Sequence, residues 1–358
     1  MHIVFSLCAA LLVIATLLPL SNSRQWYVRA LDFPRLQLLV LCAIWLLLSF
    51  ASQASGHPLV IVSTICVCLV AIYQCYWIIP NTQLYAVEVQ SCLGGECAAN
   101  SSITLLSSNV LMHNRNAQAL LTLVAKHQPD VLITLESDHW WQQQLDTLNS
   151  YPYRIACPLD NLYGMHVYSR LPLSQTSINY LVEHDKPSMQ MKVQLANRRQ
   201  ISLHVLHPAP PAPGENSKSI ERDVELLVMA KHVAAQTGPV IVAGDLNDVA
   251  WSATTRLFRE ISGLKDPRTG RGVFSTFNAR YWFIRWPLDH IFVSEHFRLL
   301  SVNRLPDIGS DHFPLLATFA LDNRYMADES PSQEVTDDDL LEHIQQTDTA
   351  KQSVSPTQ

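Results

Sequence analysis

Gly244-Asp245-Leu246-Asn247 and Gly309-Ser310-Asp311-His312 are the two stretches that decide how this chain is read. The first follows the apolar run Val240 to Ala243, and the second stands just before the apolar run Leu315 to Leu321. Short apolar runs bounded by glycine and polar residues are the pattern of buried strands. Both strings therefore place acids, an amide and an imidazole at strand ends, where side chains from separate elements converge. An Asp-x-Asn pair with an Asp-His pair suits metal-assisted attack of water on a phosphate ester. Carboxylates hold a hard cation, the amide orients the nucleophile, and the imidazole manages charge or protons.

Outward from these strings, strand and helix patterns alternate from Ile103 onward. Strand candidates are Ile103 to Ser108, Val131 to Leu135, Tyr163 to Ser169, Met189 to Leu195, Ile201 to Leu206, Leu288 to Val293 and Arg298 to Arg304. Asn114 to His127 carries Ala117, Leu120, Leu121 and Val124 at helical spacing, and Ser217 to Gln236 carries Ile220, Val224, Leu227 and Val233 along one side. Asp138 to Leu148 reads as a further helix, and Asn197-Arg198-Arg199 as a hairpin turn. Mixed strands, helices and hairpins predict an α/β fold of the α+β type, with two packed sheets covered by helices over residues 102–321.

The first eighty residues are of another kind. Ile3 to Leu20, Leu36 to Ala51 and Pro58 to Ile79 are apolar and uncharged. A membrane span needs roughly 17–25 mostly apolar residues. The outer two runs meet that, and the middle one does so when extended to Pro34 and Ser52. Three such runs in succession argue against buried core helices. The first also lacks the basic start of a cleaved signal peptide, having only His2, although Ser21 and Ser23 are the small residues such a site uses. Residues 1–80 are therefore expected to be an anchor of about three transmembrane helices, and residues 81–101, with Pro80, Asn81, Gly94 and Gly95 around them, a linker. Residues 322–358, with Asp337-Asp338-Asp339, are expected to be an acidic disordered tail.

Charge and cysteine narrow the function. Residues 1–99 are net neutral, residues 100–320 carry +1, and the tail carries −7. A tight grip on long duplex nucleic acid usually needs a strong positive excess, which the middle of this chain lacks. Five of the eight cysteines lie in the apolar runs. Cys92 and Cys97 flank Leu-Gly-Gly-Glu and are spaced to close a small loop, which would mean an oxidising compartment. Arg24, Arg29 and Arg35 in the first loop point the other way, placing that loop, and after two more spans the catalytic domain, in the cytoplasm.

The candidate chemistry comes from strand ends: Asn109, Glu136, His207, Asp245, Asn247, Asp289, Asp311 and His312. Taken alone, an Asn or Glu after a strand is an ordinary turn or solvated residue. Taken in order, Ser-Ser-Asn109-Val, Thr-Leu-Glu136-Ser, Gly164-Met-His-Val-Tyr-Ser-Arg170, His207-Pro, Gly-Asp245-Leu-Asn247, Leu-Asp289-His-Ile-Phe-Val-Ser and Gly-Ser-Asp311-His312 resemble the endonuclease/exonuclease/phosphatase superfamily, the deoxyribonuclease I-like group. The apolar runs resemble those of its membrane-attached bacterial members, implying an inner-membrane location.

The resemblance implies a four-layer α/β sandwich with a Mg²⁺ site, Mn²⁺ being the alternative, at one sheet edge. Asn109, Glu136 and Asp311 would be the metal ligands. Asp245 and Asn247 would position and activate water, His312 would contact the scissile phosphate while held by Asp289, and His207 would stabilise the transition state. Two further stretches are candidate pocket walls. Asp160 to Gly164 offers Asn161, and Arg280 to Pro287 offers Arg285 among aromatics, suited to a phosphate beside an apolar group. The expected protein is thus a membrane-anchored Mg²⁺-dependent phosphoesterase acting on a lipid headgroup or small phosphorylated molecule, its partners being that ester and the bilayer, with no obligate protein partner. The alternatives are a nuclease on DNA or RNA and a catalytically inactive membrane scaffold.

Overall fold

The computed structural model describes residues 1–325 apart from 22, 53–55, 94 and 213. The chain starts with three apolar helices, α1 (His2–Leu17), α3 (Arg35–Ala51) and α4 (Pro58–Ile78), with a short helix α2 (Trp26–Arg29) in the first connection. They pack on Cys42, Val60 and Val67, while Leu7, Leu11, Leu47 and Leu69 point outward uncovered. His2–Leu20 and Pro58–Asn81 are each long and apolar enough to cross a membrane. The expected middle span qualifies only as a bent pair, α2 with its following turn and α3 meeting at 68°. The break falls at Phe33-Pro34, because proline cannot supply the N–H that a continuous helix needs.

The rest of the described chain builds two mixed sheets. The strands are β1 (Cys97–Asn109), β2 (Val131–Leu135), β3 (Tyr153–Cys157), β4 (Met165–Ser169), β5 (Leu173–Asn179), β6 (Ser188–Gln194), β7 (Gln200–Leu206), β8 (Val240–Asp245), β9 (Asp289–Val293), β10 (Phe297–Arg304) and β11 (Leu315–Asp322). One sheet runs β10-β11-β1-β2-β4-β3, the other β5-β6-β7-β8-β9. Each holds one parallel pair, β1 with β2 and β7 with β8, joined through α5 (Ala117–His127) and α7 (Ile220–Ala234). The inner faces share one core that includes Leu105, Ile133, Val205 and Ile241. Helices α5 and α6 (His139–Leu145) cover the outer face of the first sheet around Leu120 and Trp141. Helices α7 and α8 (Ala253–Ser262) cover the second around Leu226 and Phe258. The layers are therefore helix, sheet, sheet, helix, as expected.

Several boundaries differ from the sequence reading. Strands β3 and β5 were not anticipated. Both are sheet edges with mostly solvated side chains, so they lack the apolar run that marks an inner strand. Helix α8 was also missed, although the Ser252 side chain caps its Thr255 N–H and Gly263 closes it in the left-handed conformation. The expected linker is no loose tether. Val89 is buried in the inter-sheet core, Gln90 O and Cys92 N bond Leu299 across the β10 edge, and β1 already begins at Cys97. Cys92 and Cys97 are joined by a disulfide. The first residues of the expected tail, 322–325, belong to the fold: Asp322 ends β11 and Asn323–Tyr325 form a turn. The rest of that tail lies outside the described residues.

This topology aims side chains at one edge. Asn109 and Asp245 end the first strand and the last of the two parallel pairs, and Glu136 and His207 directly follow the other two. Carboxyl ends of parallel strands are where side chains are free to meet a ligand. Asp289 sits opposite Asp245 in the β8–β9 register. Gly244 makes the close approach possible. Its φ is +142°, and a Cβ there would run into the Leu206 carbonyl oxygen. Gly244→Ala is expected to cost about 2 kcal/mol or more in stability, measured as a lowered unfolding temperature of the detergent-solubilised chain; an unchanged temperature would contradict this packing.

Candidate active site

The strand-end residues meet in a cavity of about 420 Å³ lined by Glu136, His207, Asp245, Asn247, Asp311 and His312. Asp245 lies at the centre. One carboxylate oxygen, Oδ1, accepts the Asn247 N–H at 2.9 Å; the other, Oδ2, accepts the Asn109 amide at 3.1 Å. The same Oδ2 lies 3.5 Å from His312 Nε2 and 3.9 Å from His207 Nε2. Burial works to raise the Asp245 carboxyl, but the His312 and His207 rings with the Asn247 and Asn109 hydrogen bonds outweigh it and hold it below the usual range.

His312 is the opposite case. Burial disfavours its charge, yet Asp289 Oδ2 at 2.8 Å from Nδ1, together with Asp245, pushes it up to about 10. The ring is therefore an imidazolium at neutral pH, with its Nε2–H side toward Asp245. Asp289 is held upward of its ordinary value by burial and by Asp245, and its Oδ1 has no partner among the described residues. Its backbone is fixed by Arg268, which donates to Asp289 O at 2.9 Å, and by the Thr276 hydroxyl on its N–H at 3.2 Å. His207 is lowered to about 4 by burial, so it is a neutral imidazole, packed on Tyr163, with no partner for its Nδ1 among the described residues.

Glu136 and Asp311 complete the acidic side. Burial pushes Glu136 up to about 7, with Asp311 and Asp245 adding to it against the Asn109 hydrogen bond. Glu136 and Asn247 both take left-handed backbone conformations, φ +55° and +50°, of a kind that concentrates at functional sites. Asn109 donates its amide to Glu136 Oε1 at 2.7 Å as well as to Asp245, while its own oxygen accepts the Leu111 N–H. The amide nitrogen, not the oxygen expected of a metal ligand, thus faces the carboxylates; Asn109 clamps two acids together. Asp245, Asp289 and His312 form a buried group with one oxygen or nitrogen of each within 4.8 Å of the others, a spacing that would suit a metal ion only with the His312 ring unprotonated.

A family model for the endonuclease/exonuclease/phosphatase family matches residues 106–312, a span that takes in every one of these side chains. The chain belongs to this family. Its members hydrolyse phosphate esters and typically use divalent metals. No curated protein sequence matches it. Among solved structures, it is similar to an endonuclease/exonuclease/phosphatase from Beutenbergia cavernae, at 16% identity and TM-score 0.50 over 62% of this chain and 72% of that one. It is similar to the human Nocturnin catalytic domain with bound sulfate, at 19% identity and TM-score 0.50 over 62% and 94%. It is similar to humanized D. rerio TDP2 at 18% identity and TM-score 0.50 over 61% and 98%. These likenesses speak for the fold.

Two expected substrate residues of this family member lie elsewhere. Asn161 makes a turn, accepting the Tyr163 N–H at 3.1 Å and donating to Asp185 O at 3.1 Å. Arg285 lies over the Phe313 ring and lines a neighbouring groove with Arg304. Their chain neighbours take the place: Leu162 and Tyr163, and Trp286, line the active-site cavity. Both stretches reach the cavity, but the turn at Asn161 spends that side chain on the Tyr163 N–H and Asp185 O, and Arg285 is placed over Phe313. The Pro-rich segment after His207 also reaches the cavity, through Pro210, Pro211 and Ala212. Arg222 had no sequence signal. It is buried and donates to Asn247 O at 2.8 Å, fixing the turn from below. In metal-free protein, Asp289→Asn is expected to bring the His312 titration down toward neutral. Histidine NMR would read this, and an unmoved titration would remove Asp289 from its role.

Proposed function

We propose that this chain is a membrane-anchored, divalent-metal-dependent phosphoester hydrolase. The observation that carries the reading is the juxtaposition of an imidazolium, His312, with the carboxylates of Asp245, Glu136 and Asp311 in one cavity. The oxygen-rich donor set, Glu136 and Asp311 beside Asp245 in one cavity, fits a hard cation, which takes oxygen ligands and offsets the charge of clustered carboxylates. Glu136 and Asp311 would hold Mg²⁺ or Mn²⁺, with Asn109 setting the Glu136 orientation. When bound, the cation neutralises charge on the phosphoryl oxygens.

The chain's own residues supply the rest. His312 Nε2–H donates to a phosphoryl oxygen, its charge held by Asp289. Asp245, ionised and held on both oxygens, orients the attacking water and receives its proton. Asn247 braces that carboxylate through its backbone N–H, and neutral His207 offers a second contact from the opposite flank. The two long apolar helices support the anchor. The Cys92–Cys97 disulfide supports an oxidising side for the domain, and two of the three first-loop arginines are engaged locally, Arg29 and Arg35 lying 3.8 and 2.7 Å from Asp32.

Full-length protein with Mg²⁺ is expected to hydrolyse bis-p-nitrophenyl phosphate and to lose activity on chelation. His312→Ala or Asp245→Ala should each lower kcat about 10²–10⁴-fold. Unchanged rates in both variants would overturn the assignment, and turnover confined to single-stranded or abasic DNA would favour the nuclease reading. An alkaline phosphatase fused after Gln358, active only where its own disulfides form, is expected to be active; an inactive fusion would put the domain in the cytoplasm.

A further inference from the structure

One wall of the active-site cavity does not come from the α/β domain. Trp26, Ala30 and Phe33, in the connection between α1 and α3, line the same cavity as Glu136, Asp245 and His312. The connection is built into the domain rather than laid upon it. The Trp26 N–H donates to Ser217 O at 3.1 Å, and the Ser219 N–H donates back to Arg24 O at 2.9 Å. The buried Trp251 indole donates to Asp32 O at 2.7 Å, and the Phe33 ring meets Trp286 edge-on at 5.5 Å. Arg35 ties the same turn to the helices, bonding Asp32 at 2.7 Å and Gln74 of α4 at 3.2 Å. Apolar helices and catalytic domain therefore share this short segment as common structure.

The location of that wall is set by chain connectivity. It joins the end of α1 to the start of α3, and the end of α4 lies alongside, where Arg256 of α8 stacks on Trp77 at 4.0 Å. An aromatic run, Tyr281-Trp282-Phe283, stands out beside it. Gln37 of α3 donates to Phe283 O at 3.0 Å, and Trp282 is 81% exposed. Exposed aromatics beside the start of an apolar helix are what a membrane–water boundary selects. Three residues later the same loop supplies Trp286 to the cavity. The lining joins charged and hydrogen-bonding groups to an apolar set, Trp26, Phe33, Trp286 and Leu288. A small, fully hydrated ester would leave the apolar residues without a partner, whereas a phosphate ester joined to a hydrocarbon group uses both kinds of lining.

We infer that the α1–α3 connection is part of the substrate site, that Trp26 and Phe33 are specificity-determining residues, and that the substrate is a phosphate ester of a bilayer lipid entering from the membrane boundary. This rests on the phosphoester hydrolase reading above and adds its substrate class. The full-length chain is reconstituted in phosphatidylglycerol nanodiscs containing phosphatidylglycerol with a diazirine in one acyl chain, without metal, and photolysed. Label is expected on residues 24–37 and 281–288, competed by excess phosphatidylglycerol. With Mg²⁺, Trp26→Ala and Phe33→Ala are expected to lower at least tenfold the ratio of kcat/KM for the lipid to that for bis-p-nitrophenyl phosphate, with Phe33→Leu recovering part of it. Label confined to the outward faces of α1, α3 and α4, with an unchanged ratio and normal turnover of the soluble ester, overturns the inference and leaves the hydrolase reading standing. Competed label on residues 24–37 without turnover of either ester supports the lipid-binding wall and overturns the hydrolase reading.

Discussion

The two sheets are joined at their functional edge by buried polar contacts between side chains of opposite layers. Asp289 starts a strand of one sheet and His312 precedes a strand of the other, and their 2.8 Å contact spans the sandwich. The Asn109 amide crosses the same gap to Asp245. Burying an ion pair is seldom a net source of stability, since desolvation offsets much of the attraction, but removing one partner leaves an uncompensated charge. The sandwich is held by its apolar core. The polar contacts set how the sheet ends face each other, and the chemistry depends on that setting.

The same contacts divide the two histidines. His312 and His207 are both buried and both near Asp245, yet one is held charged and the other neutral. The difference lies in Asp289, which stands against His312 and has no counterpart beside His207 among the described residues. A charged donor and a neutral one on opposite flanks of a carboxylate give an asymmetric site, suited to a reaction in which a proton leaves water on one side and charge grows on phosphate on the other.

Much of this was legible along the chain because strand ends announce themselves. Gly244 and Gly309 mark sharp turns, and the polar residues next to them are the ones that line the cavity. The fold class followed from apolar runs and helical spacing; the edge strands β3 and β5 escaped because solvated strands carry no apolar signature, and helix α8 escaped as well. Asn161 and Arg285 show the finer limit: composition located the right segments, but which of two adjacent side chains turns inward depends on backbone direction.

The sequence by itself was enough for the family, through its ordered short motifs, and for the sheet-and-helix architecture and the long apolar helices, through local periodicity. Only the tertiary structure decided which side of Asn109 faces the acids, that Arg222 braces the Asn247 turn, and that Trp26 and Phe33 stand in the cavity. Residues 26 and 312 are far apart along the chain, so no local pattern links them. They line one cavity because the chain bends at Pro34 between α2 and α3 and the Trp251 indole, bonded to Asp32 O, holds that bend on the domain, a relation that exists only once the layers have packed.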